Sequence, residues 1–279
     1  MTAQNSGDGT VLSQPSWTAA PVPTALDRVN PVTRLGAAMV LTFPLLISLD
    51  WVSAVVVIAL ELVVWLALAP RHIGPRLRTL VKRSIPFVIA APLAGLSLAL
   101  YGKPAGEVFF SWGFIVISEQ SLSYAAAVTA RVIALGMAVV ITLTGVDPTD
   151  MADGLAQVWH LPARFVLSTL ASVRLLNRLG EDWRTMSLAR RARGLGDQRR
   201  LHRYATMGFA LLVTAIRRGS TLATAMEVRG FGRGKRSWAR PSTVGWADAV
   251  CLLIACGIVV AGLVVAVATN HFRWIGSVL

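Results

Sequence analysis

Five apolar runs, each close to the length of a bilayer crossing, leave few folds open to this chain. They are Val32 to Leu49, Trp51 to Ala69, Ile85 to Tyr101, Tyr124 to Gly145 and Trp246 to Thr269. A helix crosses the hydrocarbon core with about 20 mainly apolar residues, and with fewer where neighbours shield its ends. The rest of the composition agrees: 54% of residues are hydrophobic, 15% are charged and the mean hydropathy is +0.60, too apolar for an ordinary soluble domain. The expected fold class is an all-α membrane protein with about five transmembrane helices. Little more than Asp50 separates the first two runs, so they form a tight helical hairpin.

The charge is distributed unevenly, and its distribution orients the spans. There are 27 Lys and Arg against 14 Asp and Glu, a net charge of +13. Basic residues are retained on the cytoplasmic side of a membrane. The loop from Pro70 to Ser84 holds Arg71, Arg76, Arg78, Lys82 and Arg83, and the segment from Val146 to Gly245 holds seventeen Lys and Arg against seven Asp and Glu. Both belong inside. The other connections carry only Lys103 and, after the last run, Arg273. Five spans with the N-terminus in and the C-terminus out satisfy this pattern. Residues 1–25 are polar, lack the apolar core of a signal peptide, and are expected to be a disordered cytoplasmic tail. Residues 26–145 then carry helices one to four, 146–245 form a cytoplasmic module of amphipathic helices between the fourth and fifth spans, and 246–279 hold the fifth helix and a short external tail.

The long basic segment has helical periodicity through most of its length. Asp147-Pro148-Thr149-Asp150 opens it with an N-cap signature and Pro at the first helical position. This short helix should end near Trp159. Pro162 then starts a longer amphipathic helix, in which Phe165, Leu167, Leu170, Val173, Leu176 and Leu179 alternate with Arg174, Arg178, Glu181, Asp182 and Arg184. It ends in Ala192-Arg193-Gly194, where Gly194 suits a left-handed cap. A third helix runs from about Leu201 to Val228-Arg229-Gly230. Within it, Tyr204 to Ile216 is apolar but short and flanked by arginines. It should lie against the inner membrane face or be buried among the other cytoplasmic helices.

The two helix endings are alike, and their arginines stand 36 positions apart. Each is a Gly-stopped rigid post with a planar, permanently charged fork at its tip, suited to a groove lined by carboxylates. A single Arg-Gly pair needs no such explanation, because cations complement the C-terminal dipole of any helix. Two near-copies in one membrane-tethered segment call for more.

On these motifs the chain resembles the transmembrane T component of energy-coupling factor (ECF) transporters, the EcfT and CbiQ family. The resemblance covers nearly everything after the tail. It rests on Asn30-Pro31-Val32-Thr33-Arg34, Arg131, Thr142 to Leu155, Leu161-Pro162, and the paired Ala192-Arg193-Gly194 and Val228-Arg229-Gly230. The second motif has Val228 where the family often has Ala. The resemblance implies a non-catalytic scaffold that needs no cofactor. Coupling helices would join two cytoplasmic ABC-type ATPase subunits or domains to a small substrate-binding membrane subunit, the S component. That subunit would read the cargo: a vitamin, a vitamin precursor or a metal ion such as cobalt or nickel.

Other chemistries find little support in the residues. Gly234-Lys235-Arg236-Ser237 is similar to the end of a phosphate-binding loop, but Arg236 stands in the Ser/Thr place and Arg229 where a Gly is required. His72, His160, His202 and His271 fall in separate segments without ligand spacing, and Cys251 and Cys256 lie in one apolar run, so no metal site is expected. No nucleic-acid-binding signature accompanies the arginines, whereas anionic membrane lipid accounts for part of the charge. Two intramembrane charges, Glu61 and Arg131, are functional or paired by default. A structural Glu61–Arg131 pair is the expectation. A self-sufficient secondary transporter using both residues is the main rival, and an intramembrane enzyme is the third possibility. Five spans without an inverted repeat or a pair of broken helices speak against the rival.

Overall fold

The computed structural model describes residues 25–48, 50–68, 73–101, 108–112, 115–194, 200–232, 234, 238 and 240–269. Most of the expected tail lies outside these residues. The chain divides into two compact units. One comprises the residues before Asn30, Gly36–Gly145 and Val250–Leu279; the other comprises Asn30–Leu35 and Val146–Ala249.

The first unit is built from apolar helices: α1 (Pro31–Ile47), which enters it at Gly36, α2 (Trp51–Ala67), α3 (Ile73–Tyr101), α4 (Glu119–Leu143) and the body of α8 (Trp246–Ala268). Asp50 makes the α1–α2 hairpin tight. Its Oδ2 accepts from the Ser53 N–H at 2.6 Å, capping α2, and Ser48 Oγ lies 3.3 Å from Ser53 Oγ. The core combines Leu41 and Leu45 of α1 with Ala54 and Val57 of α2, Ala134 and Ala138 of α4, and Ala255 and Ile258 of α8. Half of these residues are alanine, which suits helices in lipid because they gain most from close backbone approach. At Gly95 of α3 a Cβ would lie 2.8 Å from the Ala125 carbonyl oxygen of α4, and at Gly262 of α8 it would lie 2.7 Å from Val57 Cγ2.

Stretches of α3, α4 and α8 are long and apolar enough to cross a membrane, over Leu77–Leu100, Gln120–Leu143 and Trp246–Ala268. With α1 and α2, each 17 residues long, they make up the five apolar helices read from the sequence. At 1.5 Å per residue the two short helices are each about 25 Å long, so they match only a thinned or well-shielded bilayer.

Two features depart from the sequence reading. The basic stretch 70–84 is helix from Ile73 onward, so α3 starts well before the apolar run at Ile85. Long Arg and Lys stems extend along such a helix while their charges stay in water, and the basic turns therefore need no separate loop. Between α3 and α4, Val108–Trp112 and Ile115–Ser118 pair as an antiparallel hairpin, β1 and β2, a small exception in an otherwise helical protein.

The second unit holds α5 (Pro148–Gln157), α6 (Ala163–Ala192) and α7 (Arg200–Val228), with the first turns of α1 and α8. Asp147 caps α5 by accepting from the Thr149 N–H at 2.6 Å, with Pro148 at the first helical position. Pro162 occupies the N-cap of α6, where its missing N–H costs nothing. By rise per residue, α6 and α7 are each about 45 Å long.

Candidate coupling site

α6 and α7 form an antiparallel pair of arms. Near their connection Trp183 stacks on Tyr204 with ring centroids 6.0 Å apart, and Arg190 Nη1 donates to Thr206 Oγ1 at 2.8 Å. Further along, Arg218 grips Asp182 with two bonds of 2.5 and 3.3 Å. Beyond that contact lies an open groove of about 1390 Å³ between the N-terminal half of α6 and the C-terminal half of α7. Leu167, Leu170, Val213 and Met226 are among its apolar lining, and Arg174 and Arg217 are among its basic residues. The sequence places Arg174 on the polar face of α6 but does not bring it to Arg217, since two helices join them across some forty positions.

Both expected arginine tips are helix ends with left-handed glycine stops. Arg193 is the C-cap of α6. Its N–H donates to Ala189 O at 3.2 Å, and Gly194, at φ +72°, donates to Arg191 O at 3.0 Å. At the end of α7, Gly230, at φ +70°, donates to Glu227 O at 2.9 Å and Phe231 N–H reaches back to Met226 O at 2.9 Å. This pair of bonds is a full Schellman stop. A Cβ at Gly194 or Gly230 would meet none of the described residues within 4 Å, and the positive φ by itself favours glycine there. Ala192, Arg193, Val228 and Arg229 are exposed, and among the described residues neither arginine has an ion-pair partner. Val228 is 83% exposed, so its extra bulk over alanine is not packed against the described residues.

The stretch Tyr204 to Ile216 is buried on one side only, where Met207 is 1% exposed. Phe209, Leu212 and Ile216 are 69%, 56% and 64% exposed, and on α6 Phe165 and Leu176 are similarly bare. Large apolar side chains grouped this way mark a surface for a partner or a membrane.

Glu61 and Arg131 both lie buried in the first unit but are not paired. Both Glu61 carboxylate oxygens, and Nε and Nη2 of Arg131, lack a hydrogen-bond partner among the described residues. The expected Glu61–Arg131 pair is thus corrected: similar depth along two helices does not make their facing sides coincide. The costs of Glu61→Met and Arg131→Met should accordingly add in the double variant, to within about 0.5 kcal/mol. Thermal unfolding of the three purified variants measures this, and recovery of most of the loss in the double variant would restore the pair.

Residues 24–238 match the family model CbiQ, described as cobalt transport protein. The chain belongs to the CbiQ family. The match takes in both arms and their arginine tips, with Glu61 and Arg131, and ends before α8. Among curated proteins, an energy-coupling factor transporter transmembrane protein EcfT of Brevibacillus brevis is 27% identical over 180 residues, 58% of this chain and 66% of that protein. The EcfT of Exiguobacterium sibiricum is 29% identical over 173 residues, 57% of this chain and 66% of its own length. In Listeria innocua the protein of the same name is 26% identical over 247 residues, 84% of this chain and 90% of that protein. This CbiQ-family chain therefore spans just under two thirds of the first two relatives and most of the third.

Proposed function

We propose that this chain is the transmembrane scaffold of an ECF-type importer, placed in a bacterial cytoplasmic membrane with its N-terminus and its two arms in the cytoplasm. In this reading Arg193 and Arg229 each dock on one of two ABC-type ATPase subunits or domains. The ATPases hydrolyse ATP, and the arms carry their closing motion to a small membrane subunit that binds a vitamin, a vitamin precursor or a transition-metal ion. The observation that carries the reading is the duplicated helix end: two arms of similar length, each stopped by a left-handed glycine and each offering an exposed guanidinium without an ion-pair partner among the described residues. Two posts match the two-fold character of an ATPase pair. The relatives' names and the exposed apolar faces of α6 and α7 support partners on the same module. The basic excess of Val146 to Gly245 supports its cytoplasmic side.

Affinity purification from native membranes with identification of the bound proteins tests this. An ATPase and a small apolar membrane protein should be recovered with the chain. A lone chain that moves solute in liposomes would overturn the scaffold reading.

Pro162 sets the direction in which α6 leaves α5, so a small change of angle there is magnified at Arg193. Pro162→Ala should leave the chain in the membrane and the ATPases bound, yet lower uptake per ATP hydrolysed by about two- to tenfold, equivalent to about 0.4–1.4 kcal/mol of lost coupling. Wild-type coupling in that variant would remove Pro162 from the mechanism.

A further inference from the structure

Segments far apart in the sequence meet in the second unit at one knot of hydrogen bonds, buried at Asn30 and Asp248 and more open around Gln157. Asn30 stands before α1, Gln157 ends α5, and residues 240–248 lead from α7 into α8. The Asn30 backbone N–H donates to Asp248 Oδ1 at 2.7 Å, while its Nδ2 donates to Ser242 Oγ at 2.8 Å and to Thr243 O at 3.2 Å. Asn30 Oδ1 accepts from the Val32 N–H at 3.1 Å, and Asp248 Oδ2 accepts from the Gly245 N–H at 2.6 Å. Gln157 holds the same strap by two more bonds: Nε2 donates to Arg240 O at 3.0 Å and Oε1 accepts from the Ser242 N–H at 2.9 Å. Gly154 closes the packing, since a Cβ there would lie 2.4 Å from Val32 Cγ2 and 3.1 Å from Asn30 Oδ1.

The helix starts are capped in a reciprocal way. Asn30, which bonds the first turn of α1, also grips the strap before α8; Asp248, in the first turn of α8, also holds the backbone before α1. Both donors of the Asn30 amide are used, and Asn30 and Asp248 are buried. A polar network satisfied in this way around a buried centre specifies one arrangement and resists partial opening. Its position matters as much as its completeness. α5 is the root of the first arm and the strap is the outlet of the second, so both arms are tied here to the starts of α1 and α8.

We propose that Asn30, Gln157 and Asp248 are positioning residues that form a clasp, passing displacement of the two arms together to the first and last apolar helices. This rests on the scaffold reading and adds to it the point of transmission. A purely structural knot would affect how much protein folds and assembles, but not the motion of complexes that have assembled.

The test follows that motion without reference to cargo. Nitroxides are placed at the exposed positions Phe43→Cys of α1 and Leu253→Cys of α8, with Cys251 and Cys256 replaced by serine, in the complex with its ATPases. The change in label spectra between ATP and ADP is recorded for the labelled parent and for Asn30→Ala and Gln157→Ala. The clasp predicts a clear ATP-dependent change in the parent. In the variants that change should be at least about fivefold smaller, since one net hydrogen bond carries about that factor and each variant loses two or more, with ATPase binding and hydrolysis retained. An undiminished change in both variants overturns the clasp. So does a parent that binds and hydrolyses ATP but shows no change, and in either case the scaffold survives. If Asn30→Ala does not fold, the half-buried Gln157→Ala decides alone. Failure of the parent to bind any ATPase would instead remove the scaffold reading, and the clasp with it.

Discussion

Replacing Arg193 or Arg229 with alanine is expected to weaken ATPase association by about 3 to 5 kcal/mol per arginine, the cost of removing one partner from a buried, hydrogen-bonded charge pair. If the tips only decorate the surface, the loss should be about 0 to 1 kcal/mol. The magnitude therefore separates docking from decoration. Lysine should rescue poorly, because it keeps the charge and loses the planar fork that binds a carboxylate through two parallel bonds. Arg199→Ala and Arg200→Ala should have little effect, since the proposed contact belongs to the helix end and not to basic charge in general. Titration of ATPase onto the immobilised chain reads these differences, and equal losses at all four positions would point to non-specific electrostatics.

The second large effect concerns the apolar unit. Gly95→Ala places a methyl 2.1 Å from Thr129 Oγ1 and 2.8 Å from the Ala125 carbonyl oxygen. The threonine hydroxyl is itself engaged, donating to Ala125 O at 2.7 Å, and the carbonyl belongs to the α4 backbone, so the two helices must separate. Overpacking of this kind costs about 1 to 3 kcal/mol, and Gly95→Val should exceed Gly95→Ala. Gly257→Ala is the matched control: nothing lies within 4 Å of its added carbon, and alanine is the better helix former by about 1 kcal/mol. Melting of the purified chain in detergent should show a marked fall for both Gly95 variants and none for Gly257→Ala. An unchanged melting temperature for Gly95→Val would mean that α3 and α4 do not pack as described.

Features governed by local chemistry were legible in the sequence. Asp147-Pro148 marks the start of α5 because the cap and the missing N–H are properties of adjacent residues. Gly194 and Gly230 mark the ends of α6 and α7 because positive φ is a property of one residue. The apolar runs located all five apolar helices to within a few residues, except at α3, where amphipathic basic turns precede the apolar part. What failed depends on three-dimensional registration. Whether Glu61 and Arg131 meet is decided by the rotation of α2 and α4 about their axes, which hydropathy does not encode. The exposure of Phe209, Leu212 and Ile216 was missed in part for the same reason: an apolar face looks the same whether its partner lies in this chain or in another. The bond between Asn30 and Asp248 joins residues 218 positions apart, and no local pattern announces it.

The claim that two arms serve two ATPases is tested most directly by counting. The number of ATPase domains bound per chain can be determined by native mass spectrometry of the purified complex for the parent, each single alanine variant and the double variant Arg193→Ala, Arg229→Ala. The account predicts two domains on the parent, fewer on each single variant and none on the double variant. A double variant that still carries two would contradict it.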